Sequence, residues 1–451
     1  MSRDIVKARD IMEAESSLEA VADQVLQFAK AQGASAAEAA LSEESGLSVN
    51  VRLGDVETIE FNKDKGLGIT VYFGQRKGTA STADFSSDGL EDAVRAACSI
   101  ARFTAEDPYA GLADAERMAT EIPDLDLYYP WDVSPETAIE LATECEDAAR
   151  GYDERISNSE GASLSSHEGT RVYANSHGFM GSYSTTRHSM SCSVIVEDDN
   201  GMQRDYWYSV ARDRHDLETA TAVGEKTAAR TLQRLGGRRI DTCKVPVLFS
   251  ADVAGSLVSH MISGIRGGSL YRKSSFLLDK LGEQIFPEFV HIHEQPHMKK
   301  VLGSAPYDSE GVATYARDLV RDGVLQGYVL DSYSARKLKM ESTGNSGGVH
   351  NVLIEPGELD QQALLREMGT GLLVTELLGM GVNIVTGDYS RGAAGFWVEN
   401  GVIAYPVDEI TIAGNLADMF MQLQAVGNDI DHRGNIKCGS LLIDAMTIAG
   451  T

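Results

Sequence analysis

Apolar residues recur at every second position in Leu47, Val49, Val51 and Leu53, and again in Leu67, Ile69, Val71 and Phe73. That period buries one face of an extended chain and leaves the other polar, so this stretch is predicted to be a half-buried sheet. Gly54-Asp55 is a two-residue hairpin signal and Val56 to Phe61 is the returning strand, with Gly74 to Gly78 as the next turn. An apolar sheet face needs a cover, and the flanking segments switch to helical spacing. Leu18, Val21, Ala22, Val25 and Ala29 form one stripe, opened by the capping-box pair Ser16 and Glu19 and stopped by Gly33. Leu90, Ala93, Val94, Ala97 and Ala101 form another. Residues 16–103 are therefore predicted to be a helix–strands–helix unit.

Residues 104–133 are rich in Asp, Pro and aromatics without a sustained period, which suits a linker. Ser134-Pro135 supplies an N-cap and a proline at the first helical position, for a helix to about Arg150. Arg155 to Val210 carries short alternating runs between Gly and Asn, a strand meander. Asp216 to Leu235 is a further helix, closed by Gly236-Gly237. These make a second α/β unit at 134–237. In 238–451, Val245 to Phe249 is a short apolar strand, followed by the mostly apolar Val253 to Ile265 and many short, glycine-rich strands. Residues 301–415 are predicted to be mostly β, interrupted by a helix at Gln361 to Met368. The fold class is α+β: an N-terminal α/β region in two parts, then a β-rich C-terminal domain. A length of 451 residues suits two to three such domains.

The charge balance excludes some functions. Forty Lys+Arg against 67 Asp+Glu leave a formal charge of −27, which repels phosphate backbones and anionic lipids. Neither direct nucleic-acid binding nor membrane binding is expected. Met1 to Glu15 lacks the apolar stretch of a signal peptide, and no run approaches the ~18 apolar residues of a bilayer span. Cys98, Cys145, Cys192, Cys243 and Cys438 are odd in number and form no C-x-x-C pair, so neither a disulfide framework nor a clustered zinc site is predicted. Cytoplasm is the expected location.

Several motifs offer chemistry. His293-Glu294-Gln295-Pro296-His297 matches the zincin pattern H-E-x-x-H, which needs a helix to put both histidines on one face. Pro296 lacks an N–H and would clash with the carbonyl of Ile292, and Val290 to His293 alternates like a strand, so this match is a decoy. His167, His177 and His188 lie in the meander and would form a metal site only if adjacent strands brought them together. His260, in an apolar segment, is a core histidine. Gly264 to Gly268 and Gly344 to Gly348 lack a phosphate loop's ending and are read as ordinary loops. No G-x-S-x-G occurs. The densest unusual segment is Gly387 to Gly401. Its Asp388, Arg391 and Asn400 are candidate peptide-binding residues, against the plainer reading of a core hairpin ending in Asn400-Gly401.

That segment, continued by Val402 to Leu416, resembles the C-terminal signature of the TldD/PmbA family, also described as proposed modulators of DNA gyrase. Phe61-Asn62 with Gly66 to Tyr72, Arg76-Lys77-Gly78, Asn158 to Gly161, Ala174 to Gly178 and Ser269 to Ser274 resemble its PmbA (TldE) branch. The resemblance implies a dimer around a chamber, in which a TldD-like subunit and a PmbA-like subunit together degrade or trim unstructured peptides. Antitoxin turnover and peptide-antibiotic maturation are the implied roles. The TldD branch carries H-E-x-x-x-H on a helix, with a distant cysteine as third zinc ligand. Aligned through Arg272-Lys273, those positions fall here on Ser259, His260 and Gly264, and only Cys438 keeps its identity. The resemblance therefore implies no metal and no catalytic residue in this subunit, zinc in a TldD-like partner, and a homodimer when that partner is absent. Restoring His, Glu and His at 259, 260 and 264 is predicted to regain zinc, through a wider turn or π-bulge at the site, with activity staying low. The alternative function is a non-enzymatic protein that binds a protein partner and has no peptidase role.

Overall fold

The computed structural model describes residues 3–199 and 201–450; Met1 and Ser2, part of the stretch considered for a signal peptide, lie outside it. α1 (Arg3–Ala31) leads into β1 (Ala36–Arg52), β2 (Asp55–Phe73), β3 (Arg76–Thr82) and α2 (Ser87–Phe103). After an extended segment come α3 (Pro135–Arg150), β4 (Ile156–Asn175), β5 (Met180–Asp198), β6 (Gly201–Ala211) and α4 (Ala220–Gln233). The six strands form one antiparallel sheet in the order β3-β2-β1-β4-β5-β6. The two N-terminal units thus share a sheet, joined by β1–β4 pairing from Glu38↔Asn175 to Val51↔Ala162.

The odd-numbered residues of β1 face the helices. Ala39 and Leu41 join Leu18, Val25, Ile69, Leu90 and Val94 under α1 and α2. Val49 and Val51 join Ala142, Leu164, Val194 and Val223 under α3 and α4. The even-numbered face carries Glu38, Ser42 and Glu44 and turns toward the C-terminal domain.

That domain comprises β7 (Cys243–Phe249), α5 (Ala251–Ile265), α6 (Gly267–Tyr271), β8 (Ile292–Glu294), β9 (Arg317–Arg321), β10 (Val324–Leu325), α7 (Ser332–Leu338) and β11 (Val352–Ile354). It continues with α8 (Gln361–Met368), β12 (Gly371–Leu378), β13 (Asp388–Glu399), β14 (Val402–Asn415), α9 (Leu416–Met421), β15 (Leu423–Val426), β16 (Ile436–Lys437) and β17 (Leu441–Ala449). Strands β14-β13-β12-β7-β17-β15 form a six-stranded sheet, and pairing of β14 back onto β17 curls it into a barrel-like form. A smaller sheet runs β10-β9-β8-β11-β16. The largest core, with Phe249, Met261, Ile292 and Tyr389, lies among α5 and the strands of the two sheets. The α+β architecture with a β-rich C-terminal part is therefore present.

Local details differ from the sequence reading. The first hairpin turns at Leu53-Gly54, one residue early, with φ of 54° and 82° and Arg52 opposite Asp55. Glu146 of α3 holds that turn, accepting hydrogen bonds from the Leu53 and Gly54 N–H groups at 2.8 and 2.9 Å. α1 begins at Arg3, so Ser16 lies within a helix and caps nothing. Gly264 to Gly268 is not a loop: α5 runs through Ile265 and α6 starts at Gly267. Gly344 to Gly348 is a loop, as expected, with φ of 69°, 95° and 122° at its three glycines. Among the described residues no helix is long and apolar enough to cross a membrane.

Candidate functional site

α5 follows β7 directly, and its buried stripe of Ala254, Leu257, Val258, Met261 and Ile265 fixes which side chains remain for chemistry. Ser259 is exposed, His260 is half-buried, and Gly264 is buried. A Cβ at Gly264 would lie 3.1 Å from both Leu277 Cδ1 and Phe276 Cε1. The His260 ring meets Tyr389 of β13 edge-on, with centroids 6.0 Å apart at 69°. Tyr389 and Arg391 are two residues apart on one strand and so share a face. Arg391 Nη2 donates to the Leu377 carbonyl at 3.3 Å.

Three buried polar atoms converge here, His260 Nε2, the Tyr389 hydroxyl and Arg391 Nε, with the Arg391 side chain as the hydroxyl's hydrogen-bonding neighbour. Burial lowers the His260 pKa, and the Arg391 charge lowers it further, so the imidazole is neutral at pH 7. Burial pushes the Tyr389 phenol up to about 12, with Arg391 opposing.

A zinc ion does not fit this arrangement. A catalytic zinc takes three protein ligands and an open position. His260 offers one nitrogen, beside a guanidinium that repels a dication, and Gly264 offers no side chain. Cys438 donates its thiol to the Gly439 carbonyl at 3.1 Å, and burial, reinforced by Asp429 and Asp431, pushes its pKa far up, so it stays protonated. Among the described residues no group of three or more His, Cys, Asp or Glu is placed to hold a metal.

Arg391 also lines a cleft of about 280 Å³ between the second α/β unit and the C-terminal domain, with Trp207, Tyr208, Asp252, Glu376 and Arg433. Lys226 Nζ and the Arg433 guanidinium lie 3.6 and 3.8 Å from the Trp207 ring centroid, and Trp207 Nε1 donates to Glu218 at 3.0 Å. These cation–π and hydrogen-bond contacts fix the indole as a rigid wall.

The three predicted peptide contacts are not brought together. Asp388 is exposed and accepts from Thr386 Oγ1 at 2.7 Å. Asn400, with φ of 51°, closes the β13–β14 hairpin with Gly401. It stands nine residues along the strand from Arg391, roughly 30 Å away. The H-E-x-x-H match is strand at Ile292–Glu294. Glu294 is buried and spent on Arg317 Nε at 3.0 Å, Asn345 Nδ2 at 2.8 Å and the His350 N–H at 2.7 Å. Nor do the meander histidines meet. His167 pairs across the sheet with Arg187 and His188 with Ser166, which sets the two rings on opposite faces.

Sequence reasoning missed a groove across the polar face of the N-terminal sheet. Cavities of about 400 and 500 Å³ share Arg171, Tyr183 and Ala305 on this face, while another of about 300 Å³, lined by Leu47, Trp131, Ser166 and His188, lies on the opposite, helix-side face. The groove's only sequence signal is the polar half of the alternation in β1, β4 and β5.

Comparison with known proteins decides the family. Residues 37–101, 128–235 and 242–450 match, in order, domain 1, the central domain and the C-terminal domain of the PmbA/TldA metallopeptidases. The metalloprotease PmbA of Escherichia coli O157:H7 is 54% identical over 414 residues, 92% of each chain. The chain belongs to the TldD/PmbA family, in its PmbA branch. A TldD homologue of Haemophilus influenzae is more distant, 23% identical over 447 residues, covering 88% of this chain and 89% of the other. A crystal structure of a proposed modulator of DNA gyrase from Bacteroides thetaiotaomicron superposes with a TM-score of 0.91 at 30% identity, covering 96% of this chain and 98% of that one. The PmbA-branch fold thus positions α5 and β13 as described.

Proposed function

We propose that this chain is the metal-free subunit of a two-subunit zinc peptidase. A TldD-like partner supplies the metal and the glutamate that activates water. This chain shapes the chamber and grips extended, unstructured peptide in the cytoplasm, and it is not catalytic alone. One observation carries the reading. The α5 positions aligned with the zinc motif hold an exposed serine, a neutral histidine beside a guanidinium, and a glycine packed against Leu277 and Phe276. The groove across the polar sheet face supports peptide capture, since a row of Ser, Tyr and Arg side chains tolerates varied sequence. Labile antitoxins and precursors of peptide antibiotics are the substrate classes proposed. In the partner's absence, the chain pairs with a second copy of itself.

The test is cleavage of an unstructured peptide by this chain alone, by a TldD-like protein alone, and by the two mixed. Activity is expected only with the TldD-like protein present, and greatest in the mixture. A mixture no more active than the TldD-like protein alone would favour the non-enzymatic interaction protein.

A further inference from the structure

Two arginines stand side by side in the groove with no carboxylate between them. His188 of β5 pairs with Ala211 of β6, so Arg187 and Arg212 are the next neighbours along the same two chains, about 5 Å apart in backbone. Both line the 500 Å³ cavity, where the polar face of the N-terminal sheet meets Leu302 to Ala305. Arg212 is only 7% exposed. Its guanidinium donates to the carbonyls of Val301, Thr186 and Leu302 at 3.3, 3.0 and 2.8 Å, which leaves two of its five N–H groups. Carbonyls satisfy its donors but not its charge. Burial pushes its pKa down to about 10, and the Arg187 and Arg171 charges push the same way. Among the described residues neither Arg187 nor Arg212 forms an ion pair, and Arg187 has no hydrogen-bond partner. Like charges on neighbouring strands are destabilising, and a buried charge is costly without a counter-charge. The two carboxylates at the cavity are engaged elsewhere: Glu44 accepts from Arg171 at 3.2 Å and Glu168 from the Tyr128 hydroxyl at 2.8 Å. In a chain of net charge −27, this cavity reverses the local sign.

We propose that Arg187 and Arg212 form a subsite for an acidic side chain, Asp or Glu, of a bound peptide. The cavity shares Arg171, Tyr183 and Ala305 with its 400 Å³ neighbour, so a chain passes through this place rather than ending in it, and the carboxylate comes from within the peptide. Arg187 is exposed and free to turn onto that carboxylate, while Arg212 is held in place by its three carbonyls. Capture along the groove tolerates varied sequence, and this subsite adds a preference at one position. The choice of a peptide ligand rests on the reading of this chain as a peptide-gripping subunit; the anion subsite itself does not.

The test is isothermal titration of the full chain, at low ionic strength, with unstructured peptides that are acetylated and amidated at their ends and differ only in one central Glu or Gln. Free glutarate is a second probe, read by melting temperature. The Glu peptide is expected to bind about tenfold more tightly than the Gln peptide, and added salt should shrink that ratio. Arg187→Gln, a change on an exposed side chain, should bring the ratio below about threefold without lowering the melting temperature. Arg187→Glu, which supplies Arg212 with a counter-charge from the chain itself, should abolish the preference. Equal binding of the two peptides by the parent, or a Glu preference that survives in full in Arg187→Gln, would overturn the subsite and leave the peptide-gripping role standing. If neither peptide binds, glutarate decides. A rise in melting temperature for the parent but not for Arg187→Gln would keep the subsite and overturn the peptide grip, and no rise would overturn both.

Discussion

Replacing Ser259, His260 and Gly264 together by His, Glu and His restores a zinc motif on paper, and the structure predicts that it fails. α5 is a regular α-helix from Ala251 to Ile265. Five residues at about 100° each place positions 259 and 264 about 140° apart, so two histidines there cannot converge on one ion. Ser259 faces solvent, while Gly264 is packed so that even a Cβ comes within 3.1 Å of Leu277 and Phe276. An imidazole there overpacks the core at the upper end of the usual range, about 3 kcal/mol. Zinc binding would offset that cost only if the chain bound it, and Arg391 opposes a dication beside position 260. The assay is urea unfolding of parent and triple variant, with and without zinc, together with zinc content after dialysis. The expected result is a less stable variant that zinc does not rescue. A variant as stable as the parent that holds one zinc would refute this reasoning, and would show that the end of α5 opens into the wider turn the motif needs.

Glu146→Ala should destabilise the chain by about 2–4 kcal/mol in urea unfolding, because it strips two charge-assisted acceptors from the Leu53 and Gly54 N–H groups; a loss under ~1 kcal/mol would show water substituting freely. Glu294→Gln should cost about 3–5 kcal/mol by leaving Arg317 buried without its carboxylate. His293→Ala with His297→Ala should instead leave stability within about 1 kcal/mol and metal content unchanged, since His297 holds only Thr314 and His293 lies 3.8 Å from Glu355. Lys437 is buried, which lowers its pKa from 10.5 to about 8. Between those values the unfolded state binds the proton and the folded state does not, so wild-type stability rises with pH across that window. Lys437→Met should flatten that rise and be the more stable protein at pH 7; an unchanged pH profile in unfolding titrations would show that Lys437 is not its source.

Elements whose signal is local were legible. Ser134 caps α3 by accepting from the Thr137 N–H, with Pro135 at its first position, and α8 spans Gln361–Met368 as its spacing indicates. Asn400-Gly401 is a hairpin because both residues tolerate positive φ. Leu53 adopts φ of 54° although leucine is a poor left-handed residue, so the Gly54-Asp55 reading missed by one. β2 looked like two strands because its residues 55–65 are exposed and carry no buried alternation. The single N-terminal sheet was hidden for another reason: β1–β4 pairing joins residues more than a hundred apart, and no local period encodes it. α7 passed unread because its seven residues, Ser332–Leu338, span too few turns to show a stripe. Within the candidate site, Ser259, Gly264 and Cys438 were identifiable from motif register. The convergence of His260, Tyr389 and Arg391 was not, because it depends on how α5 packs against β13.

That this chain carries no zinc site of its own is the central claim. Zinc content of the isolated full-length chain, measured by elemental analysis after dialysis against a weak chelator, tests it. The prediction is well under one equivalent per chain, because His260 sits beside Arg391 and Cys438 is held as a buried thiol. One equivalent of zinc that survives dialysis and is lost on His260→Ala or Cys438→Ser would contradict it.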